Sequence, residues 1–263
     1  MSMDFLLRRV GETLWSTPST NRYKDEQTLQ VLIKQSPQLL GTFEVGSVFV
    51  DELPINSTGY VDLCGVGPSG SITLVECKLG SNSEIRREVV GQILAYAAGL
   101  WRYSYEDFEK SFQLRLGSRE RLVDTLRNVN EESATWDDDS FKNAVISNLT
   151  EGRFNLVIVV DQITDELKRI VPYINSHTLP EVNFYALEVA YGQHADVEII
   201  HPVTFGIESV EAKRLRNKNV WSEADYFDLL KPHGPVVRNT IDRLYAHAVK
   251  HGAIFVSGRG AEP

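Results

Sequence analysis

Tyr60-Val-Asp-Leu-Cys-Gly-Val-Gly-Pro-Ser-Gly-Ser-Ile-Thr-Leu-Val-Glu-Cys-Lys78 reads as two apolar strands around a turn. The strands cover 58–66 and 71–79, and the glycines from Gly65 to Gly70 punctuate them. A three-residue loop, Pro68-Ser-Gly70, fits a type I turn with Gly70 in the left-handed position. Gly67 then pairs with Ser71, and counting back sets Asp62 opposite Glu76. Residues two apart on a strand share a face, so Glu76 and Lys78 point the same way. Three charged side chains converge on apolar strands, which is costly unless a cation or partner satisfies them. The stretch also contains Gly65-Val-Gly-Pro-Ser-Gly70, the spacing of a dinucleotide fingerprint. That motif needs a helix immediately after it, whereas Ser71 to Val75 is strand-like and Pro68 sits inside the motif. It reads as a hairpin turn.

Working upstream, 24–35 has helical spacing in Leu29, Leu32 and Ile33, closed by Pro37 and Gly41. Glu26 falls beside Leu29 and Ile33, on the apolar stripe of that helix. A strand over 43–52 follows, and residues 5–15 are ambiguous between a strand pair and a short helix. Downstream, 84–102 is an apolar helix. It places Gln92 among Ile85, Val89 and Tyr96, with Gln92 and Tyr96 at i and i+4. Residues 104–150 form a polar, helical insertion with a loop around Glu131 to Ser140. Leu156 to Val160 reads as a parallel strand buried on both faces. Asp165 to Asn175 is amphipathic, Val182 to Val189 is a second strand, and Val197 to Phe205 a last one.

The character changes near residue 210. Lys213, Arg214, Arg216 and Lys218 read as a basic linker, and Ser222 to Asp225 as a capping box opening a short helix. A further helix spans 236–251, stopped by Gly252, and Ile254 to Val256 looks like an unfinished strand. The expected fold is α/β. It comprises a domain over 1–209, with a mixed sheet extended by a βαβ unit, and a small helical appendage over 210–263.

Composition narrows the function classes. The 263 residues carry a net charge of -9, which argues against coating nucleic acid by bulk charge. It does not exclude a nuclease, because a metal site supplies positive charge locally. Cys64 and Cys77 lie in apolar runs and read as reduced, buried thiols of a cytoplasmic chain. Met1 to Val10, broken by Asp4, Arg8 and Arg9, lacks the apolar region of a signal peptide. No stretch approaches the ~20 apolar residues of a membrane span.

Two carboxylates at adjacent strand positions suit a hard divalent cation, which polarises a phosphoryl oxygen and acidifies a bound water. A lysine beside them stabilises developing charge or orients the water. Arg86 and Arg87 open the helix that carries Gln92, within reach of a phosphate across the cleft. Two other features read as local structure. His247 and His251 place positive charge near a helix C-terminus, and Asp161 caps or turns the chain after its strand.

The order of helix with Glu26, strand with Asp62, strand with Glu76-Cys-Lys78, helix with Gln92-x-x-x-Tyr96, then strand 156–160 resembles the PD-(D/E)xK nuclease superfamily. Gln92-x-x-x-Tyr96 is similar to the RecB-like branch. Val75-Glu-Cys-Lys78, Ile85-Arg-Arg-Glu-Val-Val-Gly-Gln92 and Tyr96-Ala-Ala98 resemble a group of stand-alone bacterial members whose role is largely unassigned. Glu26-Gln-Thr-Leu-Gln30 and Ser36-Pro-Gln-Leu-Leu40 fit that group as well. The resemblance covers about residues 23–205 and implies a restriction-endonuclease-like αβββαβ core. It implies Asp62, Glu76 and the main-chain carbonyl of Cys77 as metal ligands, with Glu26 holding a second metal or a water. It implies Lys78 as the catalytic lysine, with Gln92 and Tyr96 bracing the site or touching DNA. One departure is that Val61, not proline, precedes Asp62. The implied activity is a Mg²⁺- or Mn²⁺-dependent endodeoxyribonuclease acting on DNA; no membrane partner is expected, and a homodimer is left open. The alternative is a catalytically inactive nuclease-like module that binds nucleic acid or a partner.

Overall fold

The computed structural model describes residues 6–11, 13–55, 58–80, 85–130, 136–218 and 234–251. Two compact units divide the chain, Met1–Val210 and Glu211–Pro263. The first is α/β around a seven-stranded mixed sheet. Its strands are β1 (Ser19–Asn21), β2 (Val48–Ile55), β3 (Gly59–Val66), β4 (Ile72–Lys78), β5 (Phe154–Val160), β6 (Asn183–His194) and β7 (Val197–Phe205). The sheet runs β2-β3-β4-β5-β6, and β1 and β7 both pair with β6. β3 is antiparallel to both β2 and β4, whereas β4, β5 and β6 are parallel.

The hairpin forms as its glycines require. Gly67 N–H donates to the Ser71 carbonyl at 2.9 Å, and Gly70 has φ +78°. The register pairs Leu63 with Val75 and stops there, so Asp62, expected opposite Glu76, is not paired with it. Glu44 fastens the turn, accepting from the Ser69 N–H and from the hydroxyls of Ser69 and Ser71.

Alternation along β4 and β5 builds two cores. Val75, Cys77, Val157 and Val159 pack with Leu29 and Ile33 of α1 (Glu26–Gln35). Ile72, Leu74, Leu156 and Ile158 pack with Val89, Ile93 and Tyr96 of α2 (Ile85–Leu100) on the opposite face. The second core also takes α3 (Tyr105–Leu116), α4 (Leu122–Val129), α5 (Asp138–Glu151) and α6 (Asp165–His177) through Phe108, Leu126, Phe141 and Leu167. Among the described residues no helix is long and apolar enough to cross a membrane.

The sequence reading needs four corrections. β2 begins at Val48 rather than 43, because Glu44 turns to hold the hairpin loop and the Gly46 carbonyl accepts from Asn130. α5 already starts at Asp138, capped by Asp137, so the expected loop is shorter at that end. α7 (Ile207–Lys218) is helical through the run read as a basic linker, since Lys and Arg are good helix formers. Residues 7 and 16 form an isolated bridge and β1 follows, neither resolved by the weak pattern of 5–15. In the second unit α8 (Gly234–Lys250) covers the expected helix. The capping box at 222–225, Gly252 and 254–256 lie outside the described residues.

The hairpin turn packs on α5: Asn148 donates to the Gly70 carbonyl at 2.8 Å. A Cβ at Gly70 would lie 2.7 Å from Ala144 Cβ and 2.9 Å from Val145 N. Gly70→Ala should therefore destabilise by roughly 2–4 kcal/mol, combining left-handed backbone cost with overpacking. Gly117→Ala has φ +67° but open space around it, so it should cost only about 1–2 kcal/mol. Denaturant melts of the two variants test this, and equal losses would remove the α5 contact from the account.

Candidate functional site

The site lies where β3 and β4 stop pairing. In an antiparallel ladder alternate pairs exchange both backbone bonds. Gly67 and Ser71 close this series, the Gly67 N–H donating to the Ser71 carbonyl, so Leu63 and Val75 are such a pair, and Val61 and Cys77 would come next. The ladder ends at Leu63 and Val75. The Cys77 N–H instead donates to the Asp62 carboxylate at 2.7 Å. By the same geometry the Cys77 carbonyl faces this gap.

Glu76 alternates with Val75 and Cys77, so it points toward α2 and is only 1% exposed. Neither of its oxygens has a hydrogen bond of normal geometry. Lys78 Nζ lies 3.3 Å from it. Burial, reinforced by the Asp62 charge, pushes the Glu76 carboxyl up to about 7, against the opposing pull of Lys78. Burial also raises Asp62, partly offset by the Cys77 N–H and Lys78. Burial works against the Lys78 ammonium, but Glu76, Glu26 and Asp62 outweigh it and raise its pKa.

Glu26 sits on α1, packed on the other face of the sheet, and reaches the site around the end of β4. It pairs with Lys78 Nζ at 3.3 Å and accepts from the Leu79 N–H at 3.4 Å. Its side chain is half-exposed. Gln92 donates to the Tyr96 hydroxyl at 3.0 Å. Tyr96 is buried, and its pKa is raised by that burial and further by Glu76 and Asp62. Arg86 and Arg87 lie on the first turn of α2, with side chains outside the described set. The structure thus gathers Asp62, Glu76, Lys78 and Glu26, with Gln92 and Tyr96 beside them.

Residues beyond the sequence reading complete the surroundings. Gln30, one turn after Glu26, donates to the Asp62 main-chain carbonyl at 2.8 Å. Its i+4 spacing from Glu26 was a readable signal. Glu52 on β2 faces Asp62 by the register and holds Arg115 at 2.8 Å. No local pattern marks that pairing, because 63 residues separate its members. Asp161, expected to cap or turn its own segment, instead accepts from the Gly80 N–H beyond the end of β4 at 2.5 Å.

Among the described residues, no group of three or more His, Cys, Asp or Glu side chains is spaced to hold a metal ion. What the site offers a cation is the Asp62 and Glu76 carboxylates with the Cys77 carbonyl. The buried oxygens of Glu76, which lack a hydrogen bond of normal geometry, fit that donor set.

A pH dependence follows. The Glu76 carboxyl titrates near 4.5 when unperturbed and near 7 when folded. Between those values the folded chain binds more protons, so stability falls as pH rises through this window. Below it the group contributes nothing, and above it the full cost, up to about 3 kcal/mol, is present. In EDTA, Glu76→Gln should melt above the wild type at pH 8, with the gap closing toward pH 5. A gap independent of pH would show that Glu76 is not the buried titrating acid.

No family model, curated protein or solved structure matches the chain, so the chemistry of the site rests on its own geometry.

Proposed function

We propose that the chain is a metal-dependent nuclease that hydrolyses DNA phosphodiester bonds through a PD-(D/E)xK site. The observation that carries this reading is Glu76, a carboxylate sealed from water, without a hydrogen bond of normal geometry, and set beside Asp62 and 3.3 Å from Lys78 Nζ. A buried acid so placed lowers stability unless a ligand satisfies it, and a divalent cation is the ligand that two carboxylates select.

Asp62, Glu76 and the Cys77 carbonyl would hold Mg²⁺ or Mn²⁺, which when bound polarises phosphate and acidifies water. Lys78 keeps its proton and presents it at the edge of the carboxylate pair, where charge develops on a phosphoryl oxygen. Glu26 fixes the ammonium from the other side, so Lys78 is oriented before substrate arrives. Asp62 is held by the Cys77 N–H and, through its carbonyl, by Gln30. Tyr96, with its hydroxyl held by Gln92, walls the cleft beside Glu76.

Lys78→Ala should reduce cleavage ~100- to 1000-fold while leaving the melt in Mg²⁺ close to wild type. The measurement is a panel of duplex, single-stranded, flap and RNA substrates in Mg²⁺, Mn²⁺ and EDTA, paired with melts in each buffer. Wild-type protein with neither metal-dependent cleavage nor a metal-dependent rise in melting temperature would return the chain to the inactive binding-module reading.

A further inference from the structure

Glu52 is a strand residue with φ +47°, a left-handed conformation that costs a side-chain-bearing residue about 1–3 kcal/mol. Its effect shows in the packing. On β2, Val48 and Val50 pack toward the α2 core, and so do Leu53 and Ile55. Regular alternation allows only one of those parities, so the side chains change phase between 50 and 53. β3 changes phase at the matching place: Cys64 and Val66 join the α2 core, Leu63 the α1 core, and Val61 the α2 core again. The two switches sit opposite each other, at Glu52 and Asp62. There β3 leaves β4 and Asp62 turns to the Cys77 N–H.

The strained residue is held by one side chain. Arg115 of α3 donates Nε to the Asp51 carbonyl at 2.7 Å and Nη2 to Glu52 Oε2 at 2.8 Å. The guanidinium thereby grips the backbone before Glu52 and the carboxylate of Glu52 itself. Charge-assisted bonds of this kind are strong enough to offset the backbone cost. Lys34 of α1 steadies the Asp51 carboxylate at 2.9 Å.

We propose that Arg115 is a positioning residue for the site: through Glu52 it holds β2 and β3 in the shifted phase that aims Asp62 at Cys77. The kinetic consequence rests on the nuclease reading, whereas the structural one does not. Arg115 belongs to the helical segment between α2 and β5, which gives that segment a role in the site as well as in the core.

The test compares Arg115→Ala with Arg115→Ala/Glu52→Gly. Glycine adopts φ +47° without strain, so it removes the need for the clamp. In EDTA, the Cys77 amide of Arg115→Ala should exchange with deuterium about tenfold faster, measured against the Val157 amide of β5. With Mg²⁺ or Mn²⁺ and a cleaved DNA, kcat should fall about 10- to 100-fold with KM little changed. Glu52→Gly in the same chain should restore both. Unchanged exchange at Cys77, or a double variant no better than the single, overturns the positioning role. If wild type cleaves nothing, the nuclease reading fails and the exchange data alone decide on Arg115. Should Arg115→Ala fail to fold, Arg115→Lys keeps the charge, loses the fork, and should fall between the two on both readouts.

Discussion

The Cys77 N–H donates to the Asp62 carboxylate at the point where backbone pairing of β3 and β4 ends. Everything at the site depends on that exchange of a carbonyl for a side chain. Had the ladder continued, Val61 would have taken both backbone groups of Cys77, and the gap would have closed. With the strands parted, Asp62 projects into the opening that the Cys77 carbonyl also faces. β4 itself does not loosen there. It stays paired with β5 through Lys78, so the acceptors are carried on a rigid central strand.

The electrostatics show the cost of this arrangement. Among the described residues, Asp62, Glu76 and Glu26 surround one ammonium, Lys78, three carboxylates to one cation. Glu52 adds no net charge because Arg115 pairs with it. Burial raises both Asp62 and Glu76, the direction that marks acids held against their preference. A core designed only for stability would place apolar side chains at positions 62 and 76, as it does at 63, 74 and 75. Retaining two acids there is informative about use, because among the described residues they share a single ammonium, Lys78, with Glu26.

Much of this was legible in the sequence. The hairpin register came from three residues, Pro68 to Gly70, because loop length fixes turn type and turn type fixes pairing. The inward direction of Tyr96 followed from helical period alone. The βαβ extension showed as Leu156 to Val160, apolar on both faces. What sequence could not show was the phase change at Glu52 and Asp62. A left-handed glutamate has no residue signature of the kind glycine gives, and it is stabilised by an arginine 63 positions away. Simple alternation put Asp62 on the face of Glu76, whereas the structure turns it along the sheet toward Cys77. Glu26, expected to face inward, is half-exposed. The helical stripe could not show, however, that α1 and α2 lie on opposite faces and that Glu26 meets Lys78 around the strand end.

One helix reconciles these placements. Glu26, Gln30 and Lys34 stand at i, i+4 and i+8 of α1, and each meets a different strand. Glu26 meets Lys78 on β4, Gln30 the Asp62 carbonyl on β3, and Lys34 Asp51 on β2. Four helical residues advance ~6 Å, against a strand spacing of about 4.8 Å, so a helix inclined across the strands matches them one per turn. The buried Leu29 and Ile33 have the same four-residue spacing and set the rotation of that helix on the sheet. The polar stripe is therefore a consequence of the apolar one. Packing α1 onto Leu63, Val75 and Cys77 carries its three polar side chains to the three strands where the ladder shifts and opens.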